Sequence, residues 1–158
     1  MIAVADTSPI LYLLLIDEVD LLPTLFRDVL VPSEVIEELR HPSAPGKVAE
    51  WLGQAPDWLR IETTSPAPSP PQLDALDRGE REAIRLARQQ HADLLILDDK
   101  AARLAARDLG LQITGTLGVL EAAARRHLVD LRGAVNRLRK TSFRASPALL
   151  AEILRRNR

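Results

Sequence analysis

Three acidic residues directly follow apolar segments of the sequence. Asp6 ends the run of residues 2–5, and Asp98 and Asp99 end the run of residues 94–97. If both runs are parallel strands of one sheet, their carboxyl ends share an edge, which is where open α/β sheets bind ligands. Each aspartate could instead cap the N-terminus of a helix, which stabilises the helix by about 1 kcal/mol. These residues alone leave both roles open.

Helical spacing distinguishes the two neighbouring aspartates. Ala101, Ala105 and Leu109 mark the expected buried stripe of the helix that begins after residue 99. At 100° per residue, this phase places Asp98 near the stripe and points Asp99 away from it. We therefore favour Asp98.

Glu80 falls on the apolar side of a predicted helix, because Ala83, Ile84 and Ala87 share its face. A carboxylate that points toward a core is unfavourable unless it is paired, protonated or bound to a metal. Alternatively, Glu80 lies in the first turn and interacts with the helix dipole.

Glu38 borders the stripe that Val35, Ile36 and Leu39 form in another predicted helix. This position suits an acid in the wall of a cleft, although a charged residue there is more often an ordinary surface residue.

Carboxylates that converge require a compensating charge. Two unit charges about 4 Å apart repel by about 4 kcal/mol at an effective dielectric constant near 20, so a proton or a cation must offset the repulsion. Hard oxygen ligands favour Mg²⁺ or Mn²⁺. Such an ion lowers the pKa of bound water and binds a phosphoryl oxygen. The pattern therefore indicates hydrolysis of phosphodiester bonds.

Short apolar runs alternate with helical patterns along the chain. Strands are predicted at residues 2–5, 28–31, 59–62, 94–97 and 111–114. Helices are predicted from about residue 8 and at 19–27, 32–40, 46–53, 79–90, 100–109, 117–127, 130–140 and 147–156. This order predicts a three-layer α/β/α fold with a central parallel sheet of about five strands. Residues 63–72 carry four prolines and are expected to form an exposed, semi-rigid connection.

Composition excludes several kinds of site. The sequence has no cysteine, which rules out disulfides, thiolate zinc sites and a cysteine nucleophile, and fits a reducing cytoplasm. The longest apolar stretch, residues 10–16, is too short to span a bilayer, so we expect a soluble cytoplasmic protein with no membrane partner. Only five aromatic residues are present, which disfavours stacking of bases on aromatic rings.

Charge is distributed unevenly. Residues 132–158 carry eight Lys/Arg and one acid, a net charge of +7, whereas the remaining chain carries −8. We treat residues 1–158 as a single domain with a basic helical segment at 130–158. That segment could neutralise phosphates or simply form a solvated helix face, and the arginine stripe at 78, 81, 85 and 88 has the same two interpretations. Arg103 could orient a phosphate or pair with a carboxylate, and we favour pairing.

The acidic segments, taken in order, resemble the motifs of the PIN-domain family over roughly residues 1–125. The matching segments are Asp6-Thr7-Ser8-Pro9, Val31-Pro32-Ser33-Glu34-Val35-Ile36-Glu37-Glu38-Leu39, Leu76-Asp77-Arg78-Gly79-Glu80 with Ala83-Ile84, Leu95-Ile96-Leu97-Asp98-Asp99 with Ala102-Arg103, and Gly115-Thr116-Leu117-Gly118-Val119-Leu120.

This resemblance implies a metal-dependent ribonuclease, related to the VapC-type toxins of toxin–antitoxin pairs. The implied catalytic acids are Asp6, Glu38, Glu80 and Asp98. The implied ligands of Mg²⁺ or Mn²⁺ are Asp6, Glu80, Asp98 and Asp99, with a hydroxyl of Thr7 or Ser8 in support. Glu80 departs from the family pattern, because many PIN nucleases have Asp there.

The implied partners are RNA, an antitoxin that covers the cleft with a basic side chain, and a second copy of the chain. Homodimerisation is expected through the apolar helices near the N-terminus. Alternatives are a catalytically inactive PIN-like module that binds nucleic acid or an antitoxin, and a phosphatase or DNA nuclease that uses the same ions.

Overall fold

Five short apolar segments form one parallel sheet in the computed structural model, which describes residues 1–157. The strand order is β3-β2-β1-β4-β5. The strands are β1 (Ile2–Ala5), β2 (Asp28–Pro32), β3 (Leu59–Glu62), β4 (Leu94–Ile96) and β5 (Ile113–Thr114). β1 lies at the centre, and pairs with β2 through Ala3 and Val29 and with β4 through Val4 and Leu95. The carboxyl ends of β1 and β4 are therefore adjacent.

Helices follow every strand. They are α1 (Thr7–Leu15), α2 (Leu21–Leu25), α3 (Ser33–Leu39), α4 (Gly46–Gly53), α5 (Arg78–Gln89), α6 (Lys100–Asp108), α7 (Thr116–Arg125), α8 (Leu131–Arg139) and α9 (Pro147–Arg156). The strands and most helices begin and end close to their predicted bounds. α2 is shorter than predicted, because the backbone is already extended at Phe26.

The two faces of the sheet build two cores. Ala3, Ala5 and Val31 pack with helices α1–α4 and α7–α9 on one face, while Val4 and Leu97 pack with α5 and α6 on the other. Alternating side chains of a strand point to opposite faces, which is why neighbouring residues of β1 join different cores. The predicted three-layer α/β/α fold is confirmed. Every helix in residues 1–157 is too short or too polar to cross a lipid bilayer.

The proline-rich connection is anchored rather than loose. Arg85 and Gln89 of α5 both donate hydrogen bonds to the carbonyl of Ser65, at 3.1 and 2.9 Å. Arg85 also pairs with Glu82 at 2.8 Å, and both side chains are largely covered. The expectation that this arginine belongs to a solvated stripe is wrong for Arg85, because it fastens the connection to α5.

The phase of α6 differs from the prediction. Ala102, Ala105 and Ala106 are buried, whereas Ala101 is exposed. Asp98 precedes the helix, so helical phase does not determine where its side chain points.

Candidate functional site

Asp6 is a buried carboxylate with an unsatisfied oxygen. It ends β1 at the N-cap position of α1 without capping the helix through its side chain. The residue is 4% exposed, and its Oδ1 atom has no hydrogen-bond partner within the described chain. Burial raises the pKa of Asp6 to about 7, opposed by the backbone amide of Thr7 and reinforced by the charges of Asp77, Glu38 and Asp98. A proton or a cation is therefore the missing partner of Asp6.

Glu38 ties three helices together beside Asp6. Its carboxylate accepts a hydrogen bond from the hydroxyl of Thr7 at 2.5 Å and one from the amide of Gly79 at 3.0 Å. A Cβ atom at position 79 would lie only 2.5 Å from Oε1 of Glu38. The glycine thus permits the close approach of α5 to this carboxylate.

Asp98 lies against the turn between β5 and α7. Its oxygens accept hydrogen bonds from the amide of Thr116 at 2.8 Å and from the hydroxyl of the same residue at 2.7 Å. Burial raises the pKa of Asp98, although both Thr116 donors and the charge of Arg103 oppose the shift. A Cβ atom at Gly115 would lie 2.7 Å from Asp98 and 2.8 Å from Arg103, so the glycine leaves room for both side chains.

Arg103 does not pair as expected. Its guanidinium donates to the carbonyl of Leu97 at 3.0 Å. Within residues 1–157 it forms no ion pair. The prediction that Arg103 pairs with a carboxylate is therefore wrong.

Glu80 takes part in a capping box. The carboxylate of Asp77 accepts from the amide of Glu80 at 2.9 Å, and that of Glu80 accepts from the amide of Asp77 at 3.3 Å. This geometry is the alternative in which Glu80 acts in the first turn of its helix rather than pointing into the core. Burial raises the pKa of Glu80 to about 8, helped by the charges of Asp77, Asp99 and Asp6 and opposed by the Asp77 amide. Glu80 is thus close enough to Asp6 to share its electrostatic environment.

Asp99 and Asp98 have different surroundings. Asp99 is exposed and caps α6, because its side chain accepts from the amide of Ala102 at 3.0 Å. Its charge contributes to the raised pKa of Glu80. The roles of Asp6, Glu38, Glu80, Asp98 and Asp99 in catalysis or metal binding stay predictions, but all five lie at the same edge of the sheet.

Comparisons with known proteins show the family and the fold of this chain. A family model described as DUF3368: PIN domain matches residues 2–158. The chain belongs to the PIN domain family. A PilT N-terminus domain protein from the hyperthermophilic archaeon Sulfolobus solfataricus P2 has a similar structure, with a TM-score of 0.53 and 17% identity, over 92% of this chain and 100% of that one. At this identity, the likeness shows the fold alone. No curated protein gave a significant match.

PIN domains are generally nucleases and usually use divalent metal ions. In residues 1–157 of this PIN domain, no three acidic or histidine side chains are arranged to hold a metal ion together. The unpartnered Oδ1 of Asp6 and its acidic neighbours nevertheless fit a cation chemically, because a positive ion would satisfy the oxygen and relieve the repulsion. The donor set is therefore compatible with the metal that the family implies.

Two residues were missed as site residues from the sequence. Asp77 contributes charge to both Asp6 and Glu80, and Thr116 holds Asp98 with two donors. The spacing of Asp77 and Glu80 is that of a capping box and could have identified the first. Thr116 lies in one of the segments that resemble the family, but local spacing could not identify its contact with Asp98, which is 18 residues away.

Proposed function

We propose that this PIN domain is a Mg²⁺- or Mn²⁺-dependent endoribonuclease that cleaves single-stranded RNA. The observation that supports it most strongly is the buried carboxylate of Asp6, which has an unpartnered oxygen and three acidic neighbours. A cation bound at this position would offset the repulsion among these carboxylates and the cost of burying the charge of Asp6.

Each acid has a distinct part in the proposed reaction. Asp6 and Asp98 would hold the ion, with Glu80 as a third oxygen donor once its long contact with the Asp77 amide is released. The bound ion would supply an activated water molecule and a contact for a phosphoryl oxygen. Glu38 would keep Thr7 in place beside Asp6, because its carboxylate accepts the Thr7 hydroxyl.

The first experiment is cleavage of a labelled single-stranded RNA by the purified protein. Cleavage is expected with Mg²⁺ or Mn²⁺, and Asp6→Asn should abolish it because the central ligand loses its charge. Asp57→Asn is the matched control, since Asp57 is an exposed aspartate that precedes the amino end of β3, whereas the acids follow the carboxyl ends of the parallel strands. Cleavage that survives excess chelator, or that survives Asp6→Asn, would contradict the proposal.

One observation favours a second candidate, a catalytically inactive module that binds nucleic acid or an antitoxin. Glu80 is engaged in the capping box, and Glu38 and Asp98 each already accept two hydrogen bonds. Calorimetric titration with Mn²⁺ distinguishes the two functions. Binding that weakens in Glu80→Gln supports the nuclease, whereas no binding to the wild-type protein supports the inactive module.

The toxin role and the partner proteins belong to the same proposal. An antitoxin that inserts a basic side chain beside Asp6 would supply the charge that this carboxylate lacks. For a homodimer, part of the N-terminal apolar surface is already used, because Ile10, Leu13 and Leu14 are buried within the single chain. Co-purification with the product of a neighbouring reading frame, and sedimentation of the protein alone, test the two partners.

A further inference from the structure

The edge of the sheet that carries Asp6, Glu38, Glu80, Asp98 and Asp99 is here called the acidic edge. A groove of about 470 Å³ connects it with the C-terminal helix. Its lining includes Asp98 and Gly115 at the acidic edge, and Leu149 and Arg156 of α9. The groove thus extends from the proposed catalytic centre onto the basic C-terminal segment.

Four cations line this groove without a carboxylate partner. They are Lys100, Arg103, Arg107 and Arg144, here called the groove cations. Within the described chain none of them forms an ion pair, although ten other ion pairs are present. Arg103 is attracted by the charge of Asp98 beyond ion-pair distance. The charges of Lys100, Arg107 and Arg144 are therefore the ones most available to an external anion.

Two of the groove cations, Arg103 and Arg107, also repel each other. Burial lowers the pKa of Arg103, and the neighbouring charge of Arg107 lowers it further, although Asp98 opposes both. The other basic residue of the groove, Arg156, is already neutralised by the buried carboxylate of Glu121. A bound polyanion would relieve this repulsion.

The dimensions and lining of the groove indicate the kind of polyanion. A groove of this volume has room for a small ligand or for part of a single strand. Leu149, which is 44% exposed, and Leu117 provide apolar contacts beside the charges. The groove aromatic, Phe143, packs edge-on against Tyr12, so its ring is already engaged. Binding would then depend on phosphates rather than on stacked bases.

We propose that the groove cations bind the phosphate backbone of a single-stranded RNA next to the bond that is cleaved at the acidic edge. The RNA strand enters along α9 and α6 and reaches Asp98, with little preference for base sequence. This inference rests on the proposed function, because it assigns the groove to the substrate of that site.

The test measures binding without cleavage. The parent protein is full-length Asp6→Asn in excess chelator, and the ligand is a fluorescein-labelled single-stranded RNA. If four phosphates are neutralised, the logarithm of affinity falls with the logarithm of salt concentration at a slope of about −2.8, or about 50-fold between roughly 50 and 200 mM salt. The double substitution Arg107→Gln/Arg144→Gln should halve that slope, so that the affinity falls only about sevenfold over the same range of salt concentration.

Arg88→Gln in the same background is the matched control. Arg88 is an exposed arginine of α5 beside the proline-rich connection, outside the groove. It should leave the slope unchanged. The proposal is overturned if the parent does not bind RNA at about 50 mM salt, if the double variant keeps the parent's slope, or if Arg88→Gln lowers the slope as much as the double variant does. Binding of a poly-glutamate peptide instead of RNA would assign the groove to an acidic protein and would also overturn it.

Failure of this inference can be separated from failure of the proposed function. If Arg107→Gln/Arg144→Gln, introduced into the protein with Asp6 intact, leaves RNA cleavage unchanged, the groove has no part in the reaction. The proposal of a nuclease would still stand. RNA binding that depends on these arginines, in a protein that never cleaves RNA, would support the groove and contradict the nuclease.

Discussion

Two carboxylates are buried almost equally in this chain but have opposite surroundings. Asp6 is 4% exposed and Glu121 is 5% exposed. Oδ1 of Asp6 has no partner within residues 1–157, whereas Glu121 accepts hydrogen bonds from Arg125, Arg156 and Asn157. Asp6 lies at the edge of the sheet among other acids, and Glu121 is a residue of α7 that contacts the end of α9.

The pKa values of the two groups move in opposite directions. Burial raises the pKa of Asp6 to about 7, and its acidic neighbours act in the same direction. Burial also raises the pKa of Glu121, but hydrogen bonds from Arg156 and Asn157, together with the charges of Arg156 and Arg125, bring the net shift below the ordinary value. Burial alone therefore does not decide the charge of a carboxylate, because the donors around it do. Glu121 is satisfied by its own chain and fastens α9, while Asp6 needs something that the chain does not supply.

The largest expected effect is on the free energy of unfolding of two isosteric variants, one at each carboxylate. Without metal near pH 8, Asp6→Asn should stabilise the protein, since it removes a charge whose burial destabilises the fold by at most about 4 kcal/mol, judged from the shift to about 7. Glu121→Gln should destabilise it by about 1–2 kcal/mol, because its arginine partners are partly exposed and screened. Chemical denaturation in chelator measures both changes.

Asp57→Asn serves as the control in this comparison, because it removes one charge at an exposed position. It should change the free energy of unfolding very little. If Asp6→Asn destabilised the metal-free protein as much as Glu121→Gln does, the two buried carboxylates would be alike and the contrast would be wrong.

A smaller effect is expected from pH in the wild-type protein. A carboxyl group whose pKa is raised in the folded state favours folding when it is protonated, so its effect on stability becomes unfavourable as pH rises from about 4 to about 7. Glu80 acts with the same sign. Between about pH 5 and 8, the Asp6 contribution to stability should fall by about 2–3 kcal/mol in chelator.

The contribution of Glu121 has the opposite sign and a different pH window. A lowered pKa gives stability that is present above the ordinary value of 4.5 and is lost as pH falls through the folded value, so Glu121 does not affect the range from about pH 5 to 8. Thermal melting in chelator should therefore show a wild-type midpoint that decreases toward pH 8. In Asp6→Asn the decrease should become smaller by the Asp6 contribution, and Glu80 should cause the part that remains. An unchanged slope in that variant would show that Asp6 does not contribute.

The fold was predictable because its signals are local. Short apolar runs separated by amphipathic helices indicate a parallel sheet, and the five strands lie close to the predicted positions. The edge shared by Asp6 and Asp98 followed from the same reasoning, because acids that directly follow neighbouring parallel strands must lie near each other. The family resemblance that these segments carry is confirmed.

Side-chain partners were less predictable, because they depend on contacts distant in sequence. No local pattern in the sequence distinguishes Glu121 within α7, yet its carboxylate accepts a hydrogen bond from Arg156 of α9, which is 35 residues away. The sequence places Arg85 in an apparently solvated stripe, but its guanidinium donates hydrogen bonds to backbone carbonyls of the proline-rich connection. The preference for Asp98 over Asp99 rested on a helical phase that proved wrong at Ala101. Periodicity reports which face of an element is buried, but not which distant group covers it.

The smallest expected effect concerns Glu38, a third carboxylate that is exposed yet held by two donors. Replacing glycine with alanine inside a helix usually stabilises it by roughly 0.5–1 kcal/mol. In Gly79→Ala, however, the new Cβ atom would lie 2.5 Å from Oε1 of Glu38 and must displace that carboxylate. The protein should lose the hydrogen bonds from Gly79 and Thr7, for a net destabilisation of about 1 kcal/mol, together with reduced RNA cleavage.

Gly53→Ala in α4 is the matched control, because a Cβ atom there meets nothing within 4 Å. It should be neutral or slightly stabilising. Denaturation and cleavage assays on the two variants then separate the general effect of alanine from the displacement of Glu38. If Gly79→Ala were as stable and as active as Gly53→Ala, Glu38 would not need its two donors. The acidic edge would then depend on Asp6 and its unmet charge rather than on the bridge between α1, α3 and α5.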